Sequence, residues 1–377
     1  MTAAVAVGAV LAGLAGVKVL EARLPRVVVR AGILLFVLGP LAGLGYAMWT
    51  LWHKSFAPVD LALLAVLSVV TGLGTSLGYH RLLTHRSFRT TPWLKAAFLA
   101  AGAMAVPSRP VDWAARHLEH HAHADREGDP HRPADGFLHA HVGWMLAVSP
   151  AKRERYCARL LDDPVVRLID RTALVWLALG LALPALVDGW RGLLWGGIVR
   201  IALHNQTMFA VNSVCHAFGS QEFATGDESR NNRLVAVLAF GEGWHNNHHA
   251  FPSAAFHGLG RGPDATGLVI RCLERAGLAW DVRRPSEAAV TRRRARGRLR
   301  RGDTVGAGPS KEVGDGCRDA TRDASGLEDG LRRSVLRRDH RPEHRDAGPG
   351  PGRRAYRGEH GSRLLGADDH PGDPRRP

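Results

Sequence analysis

Four apolar runs constrain what this chain can fold into more than any other feature. They cover residues 31–52, 61–79, 172–187 and 193–214. Each run approaches or exceeds the roughly 17–25 residues that a membrane-spanning helix needs. Short polar turns separate the members of each pair, at residues 53–54 and at residues 188–191. The pattern predicts an all-α integral membrane protein with four transmembrane helices in two hairpins.

The loop between the two pairs, residues 80–171, predicts the orientation of the chain. It contains fourteen arginine and lysine residues, whereas the two short hairpin loops carry little charge. Because positive charge accumulates in cytoplasmic loops, we expect this loop and both termini on the cytoplasmic side. The apolar stretch 93–106 within the loop is too short to span a membrane, so we expect it at the interface or packed beneath the site described next.

The two ends of the chain differ from this region, which predicts three parts: 1–29, 30–280 and 281–377. Residues 1–29 are apolar, but they lack the basic start of a signal peptide. Residues 281–377 carry 24 Lys/Arg, 16 Asp/Glu and a single aromatic residue, Tyr356, so they account for just over half of the net charge of +15. Such a segment cannot bury enough apolar surface to fold, and we expect a disordered tail. Binding of anionic lipid or nucleic acid by residues 292–301 and a frameshift near Val282 are the other interpretations, and we expect no nucleic-acid partner.

Eight histidines form three clusters, each next to an apolar run. The clusters are HRLLTH with His80 and His85, HLEHH with His117, His120 and His121, and HNNHH with His245, His248 and His249. Imidazole is a neutral nitrogen ligand that suits iron, zinc and copper. Positions i, i+3 and i+4 share one face of a helix, so both triplets direct three rings the same way and can face each other around two metal ions. The i, i+5 spacing of HRLLTH does not share a face, and it predicts a helix end from which each ring reaches a different metal.

The other histidines and the cysteines carry weaker signals. His123, His131, His139 and His141 are predicted to support the ligands or to be solvated, His204 to make a hydrogen bond inside a helix, and His257 to lie on the surface. The four cysteines lack CxxC spacing and therefore predict neither a disulfide framework nor a thiolate zinc site.

At this point the motifs match a known family. GYHRLLTHRSF (78–88), WAARHLEHH (113–121), GDPHRPADGFLHAHVGWML (128–146), NSVCHAFG (212–219) and GEGWHNNHHAFP (241–252) run in order along the chain. The chain resembles the membrane fatty acyl desaturases of the stearoyl-CoA desaturase type, in a bacterial form. The resemblance implies four transmembrane helices with a cytosolic helical cap that holds a diiron centre, in a multi-pass protein of the bacterial cytoplasmic membrane.

The resemblance also implies a ligand set. It consists of His80, His85, His117, His120, His121, His216, His245, His248 and His249, with Asn212 acting through water. His216 and Asn212 come from the resemblance alone, since their residue types would otherwise indicate a hydrogen bond between helices. Trp113 stands where the family lines the bend of the acyl chain, and Phe209 stands where many relatives have tryptophan. A second departure is Leu118, which replaces an arginine that is not a ligand.

The implied reaction is the oxygen-dependent insertion of a cis double bond, delta-9 by analogy, into a long-chain acyl thioester or acyl lipid. It uses two Fe ions, with O2 as co-substrate. The sequence contains no GxGxxG fingerprint, haem motif or Fe–S cysteine run, so we expect electrons from a separate ferredoxin, rubredoxin or flavoprotein reductase. The alternatives are a diiron fatty acid hydroxylase or alkane monooxygenase, and a histidine-rich metal-binding or transport protein.

Overall fold

The computed structural model describes residues 26–53, 57–106, 108–146, 151–260 and 262–301. The described chain is mostly helical, with one antiparallel pair of two-residue strands that joins β1 (Arg89–Thr90) to β2 (Ala279–Trp280). The α-helices are α1 (Arg26–His53), α2 (Pro58–Leu73), α3 (Pro92–Ala103), α4 (Pro110–His123), α5 (Phe137–His141), α6 (Arg153–Leu161), α7 (Pro164–Arg171), α8 (Ala173–Gly192), α9 (Arg200–Ala217), α10 (Arg233–Leu238), α11 (His245–Ala250), α12 (Ala265–Arg275) and α13 (Glu287–Arg301). Two π-helical segments, Gly74–Thr84 and Leu193–Val199, continue α2 and precede α9, and short 3₁₀ turns cover Pro133–Asp135 and Gly143–Met145.

Within the described residues, three continuous helical stretches are long and apolar enough to cross a membrane. They are Arg30–Leu51, Pro58–Thr84 and Ala173–Ala217. This confirms the prediction of a mainly helical chain with apolar helices of membrane-spanning length. The stretch 93–106 forms α3, which packs in the core beneath the histidines.

The third stretch folds back on itself. Asp188 and Gly189 have non-helical backbone angles. Beyond them, Arg200 Nη2 donates a hydrogen bond of 3.0 Å to the carbonyl of Gly180. Residues twenty positions apart would be separated by about 30 Å in a straight helix, so α8 and α9 run antiparallel. The number of membrane crossings stays a prediction.

The turn at Asp188 and Gly189 lies at one end of these helices, and the histidines lie at the other end. Arg191, just after the turn at Asp188 and Gly189, forms an ion pair with Asp60 in the first turn of α2. His80 follows Asp60 by twenty residues of continuous helix, a rise of about 30 Å, which is the thickness of the hydrocarbon core. His216 likewise lies at the far end of α9.

Two apolar clusters enclose the π-helical segment Gly74–Thr84. On one side Tyr79 and Leu83 pack with α3, α4 and α7. On the other side Leu77 and Leu82 pack with Phe88 and α12. The segment approaches α3 so closely that a Cβ on Gly74 would lie 2.2 Å from the Gly102 nitrogen. Because both flanks are packed, the ring of His80 is directed toward the remaining side, where the other histidines lie.

The structure differs from the disordered-tail prediction over residues 281–301. Helix α13 forms there because alanine and arginine are strong helix formers. Arg294 pairs with Glu222, and the guanidinium groups of Arg293 and Arg294 lie over the rings of Phe251 and Phe223 at 4.9 and 5.6 Å. The rest of the predicted tail and residues 1–25 lie outside the described residues.

Candidate metal centre

Nine histidine rings converge into two adjacent groups. We call the first histidine group the set whose ring nitrogens lie within 4.8 Å of one another: His80, His85, His117, His121 and His248. The second histidine group meets the same criterion with His120, His216, His245 and His249. These nine are the histidines that the resemblance implied as ligands.

Each triplet is divided between the two groups. In α4, His117 and His121 belong to the first group and His120 to the second. In α11, His245 and His249 belong to the second group and His248 to the first. The i, i+4 pair of each helix therefore serves one group, and the intervening ring serves the other.

The prediction that His80 and His85 would reach different metals is wrong for this geometry. Both rings belong to the first group, with centroids 4.8 Å apart. The reason is the π-helix, in which the His85 amide donates a hydrogen bond of 3.1 Å to the carbonyl of His80, five residues earlier. Single π-helical turns are rare and occur frequently at functional sites. The five-residue spacing of the two histidines thus matches the five-residue spacing of the backbone hydrogen bonds in a π-helix.

The nitrogen-to-nitrogen distances within each group fit ligand atoms that bind the same metal ion. His117 Nε2 lies 2.9, 2.8 and 3.0 Å from the Nε2 atoms of His80, His85 and His121. In the second group, His216 Nε2 lies 2.9 Å from His245 Nε2. A single N–H cannot serve three such contacts. Two nitrogens at right angles around one ion, each about 2.1 Å from it, would lie about 3.0 Å apart.

Burial keeps the rings in the state that a metal requires. The pKa values of His85, His117, His120, His121, His245 and His248 are all lowered well below the ordinary value, first by burial and then by repulsion among neighbouring rings. A neutral imidazole has one bare nitrogen to offer. Both groups are therefore ready to bind cations near neutral pH.

Three aspartates support the second group. His120, His216 and His249 direct Nδ1 toward Asp129, Asp125 and Asp227, at 3.0, 2.9 and 2.8 Å. Burial raises the pKa of Asp227, but hydrogen bonds from His249, Ser229 and Thr225 reverse this effect and hold it well below its usual range. A carboxylate that accepts from Nδ1 fixes the tautomer and directs Nε2 at the metal position.

Among the residues that the structure describes, one carboxylate has this role in the first group, Glu242. It contacts His80 Nδ1 at close range and lies 3.4 Å from His257 Nδ1. Burial alone would raise the pKa of Glu242, but His80, His257 and Arg81 lower it well below the usual value.

Comparison with known proteins shows the family of this chain. The sequence model described as fatty acid desaturase matches residues 58–263. The chain is 40% identical over 233 residues, 61% of its length and 85% of the relative, to an sn-1 stearoyl-lipid 9-desaturase of Anabaena variabilis. It is 35% identical over 279 residues (68% and 87%) to a hex-5-enoyl-[acyl-carrier protein] acetylenase of Moorena producens. It is 39% identical over 247 residues (64% and 78%) to an acyl-CoA C20 Delta5-desaturase of Anemone leveillei.

The chain belongs to the fatty acid desaturase family. The predictions of this family and of an oxidoreductase of the desaturase type are thereby confirmed. Desaturases of this family generally use a diiron centre, and the two histidine groups could hold two metal ions.

Three further predicted residues lie on α4 and α9, helices that also carry histidines of the two groups. Asn212 is half-buried on α9, one turn before His216. The Trp113 indole stacks on His117 at 5.1 Å and meets Tyr79 edge-on at 5.9 Å. Phe209 is buried on α9 with its ring 5.7 Å from His141. The roles of these residues stay predictions.

Sequence reasoning missed the carboxylates and misplaced His257. Asp125, Asp129, Asp227 and Glu242 lie in loops, where no periodicity marks them, although the GDPH and GEGW motifs contain two of them. His257 was predicted at the surface but is 1% exposed, with its ring 4.6 Å from that of His248. His131 packs 4.3 Å from His120, and His204 contacts Thr75 Oγ1 at 3.2 Å as a helix-interior group.

Proposed function

We propose that this desaturase inserts a cis double bond, at the delta-9 position, into a saturated long-chain acyl group. The nine histidines hold two iron ions, and Asn212 completes the second histidine group through a water molecule. The observation that carries the proposal is the convergence of nine buried rings into groups of five and four. Asn212 lies one helical turn before His216, a member of the second histidine group, which has only four rings.

The bound metals would supply the oxidation of an unactivated methylene by O2, which the protein's own side chains cannot perform. The protein positions the chain and excludes water. Trp113 suits this task because its indole joins two first-group rings to the apolar cluster around Tyr79 and Val111. We propose that Trp113 lines the bend of the acyl chain and that Phe209 lies along its path.

The substrate class follows from the relatives. The Anabaena relative is named for a stearoyl lipid, the Moorena relative for an acyl-carrier protein substrate and the Anemone relative for acyl-CoA. We propose a long-chain acyl group on a lipid or a thioester, since the apolar surroundings of Trp113 select the chain rather than its carrier.

The electrons come from a separate donor: a ferredoxin, rubredoxin or flavoprotein reductase. The active site faces the cytoplasm of a bacterial cell, with four membrane crossings. The support for this topology is that the turn of α8 and α9 meets the start of α2, whereas all nine histidines lie at the other end.

The test is expression of the full chain in a bacterial auxotroph for unsaturated fatty acids, followed by gas chromatography of membrane lipids. We expect growth without supplement and a monounsaturated product, both absent from the His248→Ala strain. A hydroxy acid in place of the alkene would instead identify a hydroxylase. Metal uptake into proteoliposomes without any acyl product would identify a transport protein.

A further inference from the structure

Arg81, the neighbour of His80 in the HRLLTH motif, is a fully buried cation whose donors are all used. Its Nε and Nη2 donate to Glu242 Oε1 at 3.3 Å each. Its Nη1 and Nη2 form a two-pronged contact with Asp264 at 3.0 and 2.8 Å, and Nη1 also donates to the Ala255 carbonyl at 2.8 Å. A guanidinium has five N–H donors, so this environment satisfies every one.

Asp264 accepts hydrogen bonds from two backbone amides in addition to Arg81. It precedes α12, where its Oδ1 accepts from the Gly267 amide at 2.8 Å, and its Oδ2 accepts from the His257 amide at 2.8 Å. The backbone passes close to this contact at Gly241, whose φ of +109° and lack of a side chain are both required. A Cβ there would lie 2.3 Å from Asp264 Oδ1. Gly241 directly precedes Glu242, so the ion pair and the Glu242 carboxylate are fixed relative to each other.

Glu242 lies between two competing partners. Oε1 accepts from Arg81 and, at close range, from Ser76, whereas Oε2 contacts His80 Nδ1. The two Arg81–Asp264 contacts are shorter than the two Arg81–Glu242 contacts, as expected of a two-pronged charge-assisted pair. If Asp264 lost its charge, the guanidinium would pair more closely with Glu242, and the Glu242 carboxylate would accept more weakly from His80 Nδ1.

We propose that Asp264 is a positioning residue for the first histidine group, because it holds the Arg81 guanidinium and so leaves the Glu242 carboxylate to orient His80. This inference rests on the proposed role of His80 as a metal ligand. It assigns a function to a residue fifteen positions beyond His249, outside every histidine cluster.

The test is anaerobic titration of the metal-free full chain in detergent with Fe2+, measured by calorimetry. Asp264→Asn keeps a side chain that caps a helix well, but it removes the charge. We expect one of two ions to bind about 10-fold more weakly, with the other unchanged. For Glu242→Gln, which removes the direct partner of His80, we expect a loss of about 10–100-fold.

The matched control is Asp163→Asn. Asp163 also caps a helix, α7, and also forms an ion pair, with Lys95 at 2.6 Å, but within the described residues neither side chain contacts Glu242 or a histidine of either group. Both Fe2+ affinities should be unchanged in this variant. Equal losses of Fe2+ affinity in Asp264→Asn and Asp163→Asn would show that Asp264 acts only as a helix cap, and would overturn the proposal.

Double variants assign the effect to one group. In a His121→Ala background the first group is already impaired, so Asp264→Asn should cause no further loss. In a His249→Ala background it should weaken the ion that remains. The reverse pattern, or unchanged affinity in both backgrounds, would contradict the proposal. A chain that shows the expected pattern but forms no alkene would refute the proposed reaction and leave this inference standing.

Discussion

The two histidine groups are positioned by different means. The first group has five rings from the π-helical segment, α4 and α11, and one carboxylate, Glu242. The second group has four rings from α4, α9 and α11, and three aspartates from the loops after α4 and α9. Helix geometry therefore positions most rings of the first group, whereas loop carboxylates orient most rings of the second.

Removal of one ring from each group should have the largest effect and tests whether the groups act together. His121→Ala and His249→Ala remove equivalent i+4 members of the two triplets. We expect each variant to retain one Fe per chain and to lower alkene formation to the background of the host, since the proposed reaction uses both ions. Iron analysis and gas chromatography of the same preparations measure this. Substantial alkene formation by either variant would mean that one group suffices.

The second prediction concerns the aspartates that orient the rings of the second group. Asp227→Asn removes the acceptor of His249 Nδ1. We expect the affinity for one of two Fe2+ ions to fall about 10–100-fold, which competition with a coloured chelator would detect. An asparagine has one acceptor oxygen, whereas Asp227 accepts hydrogen bonds through both of its oxygens. An unchanged Fe2+ affinity would show that the loop carboxylates do not orient the rings of this group.

Acid should destabilise the metal-free protein through buried rings beside both groups. Burial is the main cause that lowers the pKa of His131, beside the second group, and of His257, beside the first, to about 4. The unfolded chain, with an ordinary value of about 6.5, therefore binds protons first as pH falls. We expect the midpoint of thermal unfolding to fall between about pH 6.5 and pH 4.

Variants separate the two contributions to this pH dependence. His131→Asn and His257→Asn should each reduce the loss of stability between pH 7.5 and pH 5.5, measured as the shift of the unfolding midpoint. If neither variant changes that shift, the two rings are not the groups that titrate.

Trp113 should affect the product but not the metals. Trp113→Phe shortens the aromatic surface beside His117, so we expect both Fe ions to be retained and the chain length or position of the double bond to shift. Gas chromatography of lipids from expressing cells measures this. A loss of iron in this variant would show that Trp113 instead supports the ring of His117.

The sequence predicted a helical chain with apolar helices of membrane-spanning length, and eight of the nine converging histidines, because both depend on local patterns. His216 came from the family resemblance alone. Apolar runs report helix length, and the HxxHH triplets report a shared helix face. The division of each triplet between two groups could not be predicted, because it depends on where α4 and α11 meet. The π-helix at His80 and His85 also escaped prediction, since the spacing alone favours a helix end. The loop aspartates and Glu242 lack periodicity, and the ordered helix α13 was hidden by a composition typical of disorder.

The most direct test of the account is the iron content of the purified full chain, reconstituted under anaerobic conditions and then assayed for alkene formation. We expect two Fe per chain in the active protein, and fewer than two together with no alkene in His248→Ala. Full activity with a single iron per chain, or unchanged activity in His248→Ala, would contradict it.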